Sequence, residues 1–198
     1  MNQTISLMAR AKASIDNGLS RLGKDINSQN PVDSVLVVFA SRAVASSNAI
    51  ALLISHGHEI EALPALKSLG VLSVWARWVM EKDSETRAAE ALSQISKPDW
   101  ETYWQGDLLS ERAAQLNFES SLREIMIELQ SLKFYSKTGN VPWDHLSEKY
   151  FFTPPSASTV AEAAGLLMTH VAEALDARWK GYFTGLEEVL RRQRRQKA

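Results

Sequence analysis

Two long, mostly apolar stretches, about residues 34–56 and 59–82, limit what this chain can fold into. Arg42 is the only charged residue of the first stretch. In the second stretch, Arg77 is the only charged residue between Lys67 and Glu81. A helix without a polar face usually lies at the centre of a fold. We therefore predict that residues 34–82 form a central antiparallel helical hairpin.

The turn between these stretches holds two of the four histidines, in the sequence SHGHEIE. On one continuous helix His56 and His58 would point about 200° apart, so their rings would not share a metal ion. Gly57 is typical of the position just past a helix C-terminus, because glycine tolerates positive φ. Glu59 and Glu61 then fall in the first turn of the next helix, where carboxylates are favoured. The pattern predicts a turn between two helices and not a metal site.

Residues 1–30 are predicted to form an amphipathic N-terminal helix that lies across the bundle. Their apolar residues recur at steps of three and four, with Lys12 in the one missing place: Ile5, Met8, Ile15, Leu19, Leu22 and Ile26. The Asn30-Pro31 pair should end this helix, and Asp33 is the expected N-cap of the next.

Three more helices are expected in the second half of the chain. One follows Ser84, a long amphipathic helix covers about residues 107–135, and the last begins at a capping box formed by Thr159 and Glu162. The sequence contains no internal repeat and no linker long enough to separate domains. We therefore predict an all-α, single-domain bundle of about six helices over residues 1–198.

Composition narrows the class of protein further. The 198 residues are 45% hydrophobic and 23% charged, which is ordinary for one globular domain. The absence of cysteine excludes disulfides, thiolate metal sites and thiol catalysis. The N-terminus lacks the apolar core of a signal peptide, so a cytoplasmic location is expected. The stretch around Arg42 has the length of a membrane span, but a charge at its middle is costly there, and no membrane association is predicted.

The chain ends in a basic tail, residues 191–198, with the sequence RRQRRQKA. We expect this tail either to extend the last helix and complement its dipole or to fray and contact an anionic partner. The residues that would contact a nucleic acid are Arg191, Arg192, Arg194 and Arg195. Their charges occupy one end of the chain and not a face, so nucleic-acid binding is only an alternative function.

Arg42 and Arg77 form the second candidate site. A charge buried among apolar residues must be paired or hydrogen-bonded. Glu81, four residues after Arg77, is its nearest helical partner. The candidate partners of Arg42 are acidic residues of later helices: Glu124, Glu128, Glu162 and Glu173. The favoured interpretation is an internal ion pair or a guanidinium head that reaches the surface past its aliphatic stem. The alternative is an anion-binding pocket lined by Trp75 and Trp78, with Arg77 in a cation–π contact between them.

The turn also carries a family resemblance, which covers about residues 35–97. Its residues are Gly57, Glu61, Ala62, Leu63, Leu66, Ser68 and Leu69. Their spacing resembles that of an uncharacterised family of bacterial all-helical proteins, in which a glycine turn precedes Glu-Ala-Leu and Leu-Arg-Ser-Leu-x-Glu. Here Lys67 replaces the arginine and Val71 replaces the second glutamate, which implies that a polar site formed by that pair is altered or absent. The resemblance also implies a gene neighbourhood connected with mobile elements or defence.

The sequence lacks the motifs of several common classes of enzyme. No histidine follows a glutamate in the Glu-x-x-His spacing of metal-binding bundles, and none follows an arginine in the Arg-x(4–6)-His spacing of helical ribonucleases. Phosphate-binding glycine loops and His-Glu-x-x-His are also missing.

We therefore predict a non-enzymatic interaction protein without a cofactor. It would self-associate, or bind a protein partner, through apolar helix faces. An accessory role in a bacterial defence or toxin–antitoxin module is the expected setting. The first alternative is a bundle, with or without enzymatic activity, that binds a small molecule or nucleotide anion at Arg42 and Arg77.

Overall fold

A computed structural model describes residues 3–97, 107–131 and 155–183. Within these ranges the chain is 84% helical, with seven α-helices and no β-strand. The helices are α1 (Gln3–Leu22), α2 (Pro31–Ser55), α3 (Glu59–Glu81), α4 (Ser84–Ile95), α5 (Asp107–Gln115), α6 (Ser120–Ser131) and α7 (Ala157–Arg178), with a 3₁₀ helix, Gly23–Asp25, after α1. The all-helical class is confirmed and a single-domain bundle fits, but the described ranges alone hold more helices than the six expected.

The extra helix arises because the long helix predicted over residues 107–135 is broken. Asn117 adopts a left-handed conformation with φ +61°. The N–H of Phe118 donates to the carbonyl of Ala113 at 2.9 Å, and the N–H of Asn117 donates to that of Ala114 at 3.1 Å. This pair of bonds is a Schellman motif, which ends α5 before α6 begins. Residues 132–135 lie outside the described ranges.

The N-terminal helix is shorter than predicted, because α1 ends at Leu22 and not near residue 30. The predicted cap of the next helix is also wrong: α2 begins at Pro31, and the side chain of Asn30 accepts bonds from the N–H groups of Val32 and Asp33. Proline suits the first position of a helix, because its missing N–H would have had no partner there. Asp33 instead lies inside the first turn and is buried.

The last helix begins earlier than predicted and its end lies within the described residues. Ser156, not Thr159, caps α7, and its side chain accepts a bond from the Thr159 N–H at 3.2 Å. The helix ends at Arg178, and Gly181 follows in a left-handed turn with φ +85°. The basic tail, residues 191–198, lies outside the described ranges.

Helices α3 and α7 form the centre of the bundle. α3 packs against α2 and α7, while α7 also packs against α1 and α2. Between Val160 and Leu175, every residue of α7 is buried except Glu162 and the half-buried Glu173. The predicted central region, residues 34–82, therefore shares the core with α7, and one side of α2 is left exposed. Any polar residue on the central part of α7 must find its partner inside the protein.

The contact between α1 and α7 depends on Gly165. A Cβ atom added there would lie 2.8 Å from Cγ of Leu7 and 3.0 Å from the backbone nitrogen of Met8. A backbone atom has little freedom to move aside, so only glycine lets the two helices approach this closely.

We therefore expect Gly165→Ala to destabilise the protein by about 1–3 kcal/mol, because the added methyl group overpacks the helix contact. Gly70→Ala is the matched control, since the nearest atom to its added Cβ, Cε of Met126, would lie 3.6 Å away. Within α3 that alanine should stabilise by about 0.5–1 kcal/mol. Urea denaturation measures both free energies of unfolding. Equal effects of the two substitutions would contradict the close contact at Gly165.

Candidate functional site

The turn at Gly57 ends α2 as predicted. Gly57 has φ +76°, its N–H donates to the carbonyl of Ile54 at 3.3 Å, and the N–H of His58 donates to that of Leu53 at 2.9 Å. The ring nitrogen Nδ1 of His56 lies 2.9 Å from the carbonyl oxygen of Leu52. The two histidines therefore belong to the helix end. Among the described residues, no group of three or more histidine, aspartate or glutamate side chains is placed to hold a metal ion.

Arg77 finds its partner on another helix and not within α3. Its Nη1 atom lies 2.5 Å from Oε2 of Glu173 on α7. Glu81, the predicted partner, instead pairs with Arg87 of α4 at 2.8 Å, and this contact lowers the pKa of Glu81. The prediction from helical spacing was wrong because Arg77 faces α7, whereas Glu81 lies at the end of α3 beside α4.

Arg42 is on the exposed side of α2, which fits a guanidinium that reaches the surface and not an internal ion pair. Glu173, one of its four proposed partners, pairs with Arg77 instead. The low charge of the α2 sequence suggested burial on every side. Many of its uncharged residues are alanine and serine, which are tolerated on an exposed surface as well as in a core.

Trp75 and Trp78 are both core residues. They are 1% and 7% exposed, and their rings meet edge to face with centroids 5.2 Å apart. Phe39 of α2 lies 6.5 Å from Trp75, between ring centroids. The cation over Trp78 is Arg87, 4.6 Å from the ring centroid, and not Arg77 as the sequence suggested. These contacts account for both tryptophans as packing between α2, α3 and α4.

The most unusual arrangement of polar groups is a cluster of four charged or titratable side chains, here called the His170 cluster: Arg77, Glu119, His170 and Glu173. Nε2 of His170 lies 3.0 Å from Oε2 of Glu119, and Nδ1 lies 3.4 Å from Oε2 of Glu173. The imidazole also stacks on Phe118, with ring centroids 3.8 Å apart and planes tilted by 14°. α3, α7 and the connection between α5 and α6 thus meet at one buried ring.

Electrostatics in the His170 cluster favour its charged forms. Burial disfavours a charged imidazole, but the adjacent carboxylates of Glu119 and Glu173 outweigh it and raise the pKa of His170 above 6.5. Burial likewise acts to raise the pKa of Glu173, but His170 and Arg77 outweigh that effect and lower it. The cluster is a network of ion pairs inside the bundle.

The sequence did contain one signal for this cluster. His170 and Glu173 are three residues apart on a helix whose other central residues are almost all apolar, so they share a face. The Glu-x-x-His test fails because the order is reversed, and Glu119 is distant in sequence. The aromatic stack with Phe118 depends on the unpredicted break before α6.

The His170 cluster does not open into the cavity that lies between α3, α6 and α7. That cavity has a volume of about 60 Å³, enough for one or two water molecules. Its lining is mostly apolar: Leu63, Leu66, Ile125, Leu129, Pro155, Thr159, Val160 and Ala163. The ring of His170 lies between two carboxylates on opposite sides, an arrangement that supports helix docking and not the convergent binding of one ion.

A second buried ion pair joins the start of α2 to the end of α7. Asp33 is 2% exposed, and its Oδ1 atom lies 2.7 Å from both Nε and Nη2 of Arg178. Its other carboxylate oxygen accepts a bond from the backbone N–H of Asn27 at 2.9 Å. Every oxygen of this buried carboxylate is therefore hydrogen-bonded, as a buried charge requires.

Comparison of the chain with protein-family models, with curated proteins and with solved structures found no match. The resemblance to the bacterial helical family, made on the residues around Gly57, therefore stays a prediction.

Arg77→Met should destabilise the protein by about 1–3 kcal/mol, because it leaves Glu173 half-buried without its guanidinium partner. Lys12→Met is the control: its partner Asp16 is one helical turn away on the surface of α1, and such a pair contributes about 0.3–0.5 kcal/mol. Thermal and urea unfolding measure both variants. If both substitutions lower the free energy of unfolding by the same amount, the ion pair between α3 and α7 contributes no more to stability than a surface pair.

Proposed function

We propose that this protein is a non-enzymatic helical interaction protein that self-associates through one exposed side of α2. The surface, here called the α2 outer face, follows steps of four and three along the helix. Its residues are Ser34, Val38, Ser41, Ala45, Asn48, Leu52 and Ser55. Each of them is exposed or half-buried.

The observation that carries this proposal is the lack of charge on an exposed helix. α2 is 25 residues long, and its only charged residues are the buried Asp33 and Arg42 beside the outer face. Only 33% of its most apolar segment is buried, and Leu52 is 62% exposed. Depletion of charged residues marks the centres of protein–protein interfaces. The central part of α7 is also largely apolar, but the bundle itself buries it.

A membrane is the other environment that would suit such a face. By length and composition alone, α2 is a candidate membrane span. Arg42 lies near the middle of the helix, however, and a charge there costs about 2.5–3.5 kcal/mol on insertion scales. Hydroxyl and amide groups at Ser41 and Asn48 add to the polar character. We therefore favour a protein partner.

The order of residues on the α2 outer face favours a second copy of this chain as that partner. Counted outward from Ala45 in either direction, the face presents a polar, an apolar and then a polar residue. An antiparallel two-fold contact centred on Ala45 would place Val38 opposite Leu52 and Ser41 opposite Asn48. Such self-complementarity is what a two-fold homodimer requires, and small side chains at its centre allow close approach.

We propose further that α2 and α3 act as one antiparallel hairpin, with α3 as the buried support of the exposed face. The three-residue turn at Gly57 and the packing of α2 on α3 support this. An accessory role in a bacterial defence or toxin–antitoxin module is part of the proposal through the family resemblance, and a cytoplasmic location is part of it through the apolar signal-peptide core that the N-terminus lacks.

The alternative proposal, anion binding by Arg42 and Arg77, has less support. The charge of Arg77 is already balanced by Glu173, and Trp75 and Trp78 are packed in the core. Nucleic-acid binding by Arg191 and its neighbours concerns residues outside the described ranges.

Ala45→Glu should weaken self-association strongly, because it places two carboxylates at the centre of the two-fold contact. Ala13→Glu is the control: Ala13 is also an exposed alanine inside a long helix, α1, but lies away from the α2 outer face. Sedimentation equilibrium over a range of concentrations measures the dimerisation constant of each. We expect the wild type and Ala13→Glu to dimerise and Ala45→Glu to be monomeric.

Two results would contradict the proposal. A wild-type protein that stays monomeric at high concentration would rule out self-association. Binding of that monomer to lipid vesicles would then favour a membrane as the partner of the α2 outer face. Dimers that persist in Ala45→Glu would place the interface elsewhere.

A further inference from the structure

The α2 outer face is too small to hold two copies of this chain together by itself. Specific and stable protein–protein interfaces take about 20–30 residues from each partner. The face consists of seven residues, and four of them are serine or asparagine. A two-fold contact through this face must therefore extend to neighbouring exposed surface.

Exposed apolar side chains show where the contact can extend. Among the described residues, four large apolar side chains are exposed: Leu52, Ile60, Leu108 and Ile127. Leu52 and Ile60 flank the turn at Gly57 and are 62% and 53% exposed. Single apolar residues scattered over a surface are ordinary, whereas a contiguous exposed patch marks an interaction site. Residues 52–60, here called the hairpin tip, therefore continue the α2 outer face onto α3.

Backbone hydrogen bonds hold the hairpin tip in place. The N–H of His58 donates to the carbonyl of Leu53 at 2.9 Å, and the N–H of Ala62 donates to that of His58 at 3.2 Å. Ile60 lies in the first turn of α3, next to these bonds. It therefore stays beside the last turn of α2, and holding its backbone still on binding costs little.

The two-fold contact centred on Ala45 places the hairpin tip of each copy against the start of the other copy's α2. Residues equally distant from Ala45 lie opposite each other, so Leu52 faces Val38. Because α3 runs back alongside α2, Ile60 lies at the level of the last turn of α2. At the corresponding level the second copy presents Ser34 and Val38, which are both half-buried.

The charges near this contact allow an isoleucine to enter it. Asp33, in the same part of α2, is buried and paired with Arg178, so the contact removes no unpaired charge from water. His58 and Glu61, next to the tip, lie 3.9 Å apart, and both side chains are more than half exposed. Ile60 would then form an apolar centre with a polar rim, which is the usual anatomy of an interface.

We propose that Ile60 is an anchor of the homodimer, which packs on Ser34 and Val38 of the second copy and extends the contact from α2 to α3. This inference rests on the proposed function, because it requires the two-fold contact centred on Ala45. It adds a residue outside α2 that fixes the register of the two copies. A two-fold contact contains this anchor twice.

Ile60→Ser should weaken dimerisation by about 10–100-fold, because each dimer withdraws this half-exposed isoleucine from water twice. Ile127→Ser is the matched control: Ile127 is also an exposed isoleucine in a helix, 48% exposed, but it lies on α6. Its dimerisation constant should equal that of the wild type. Sedimentation equilibrium measures both constants, and urea denaturation checks that both variants are folded.

A second measurement uses the absence of cysteine from the chain. The thiols of Ile60→Cys and Ile127→Cys, kept reduced, react with N-ethylmaleimide at rates that depend on their exposure. Sedimentation of the same variants gives the concentrations at which each is monomer or dimer. We expect the thiol at position 60 to react several-fold more slowly in the dimer than in the monomer. The thiol at position 127 should react equally fast in both.

The inference is overturned if Ile60→Ser dimerises as tightly as Ile127→Ser, or if the thiol at position 60 reacts equally fast in monomer and dimer. If Ala45→Glu still prevents dimerisation in that case, the proposed function stands and its second contact lies elsewhere. A wild-type protein that stays monomeric would overturn both. Protection of the position-60 thiol that needs phosphatidylglycerol vesicles, and not dimerisation, would assign the tip to a membrane and overturn the inference.

Discussion

The enclosure of α7 by α1, α2 and α3 is the constraint on which the rest of the structure depends. Gly165 permits the close approach of α1, and burial on all sides then removes polar groups of α7 from water. Thr169 satisfies its hydroxyl within the helix, by donating to the carbonyl of Gly165 at 2.9 Å. His170 and Glu173 have no such local solution, so they draw Arg77 and Glu119 to the same place. The ion network is a consequence of the packing.

The sequence predicted the helix end at Gly57 correctly, but it placed other helix ends only approximately. Gly57 marked the end of α2 because a left-handed position after a helix favours glycine. Asn117 takes the same conformation, yet its helix break was missed, because asparagine is also tolerated within helices and the apolar stripe continues on both sides. Ser156 and Asn30 took the capping positions expected of Thr159 and Asp33, since several adjacent residues were chemically suitable.

Tertiary partners were beyond the reach of sequence spacing. Arg77 has an acidic neighbour four residues later, but its guanidinium pairs with Glu173 of α7. The partner of a side chain depends on which helix its own helix face packs against, and not on spacing along the helix alone. The sequence did not predict the exposed α2 outer face, for a related reason. Alanine and serine at Ala45 and Ser41 fit a buried helix and an exposed one equally well, so charge depletion predicted burial without identifying what covers the helix.

The His170 cluster raises the question of why the bundle keeps four ionisable groups together. Well-packed apolar side chains of similar volume are often as stable as a buried ion pair, or more so, because they avoid the cost of desolvation. Stability alone therefore gives little reason for the cluster. Charged groups do fix which helix faces meet, and Glu119 pairs with His170 only when α6 docks in the observed register.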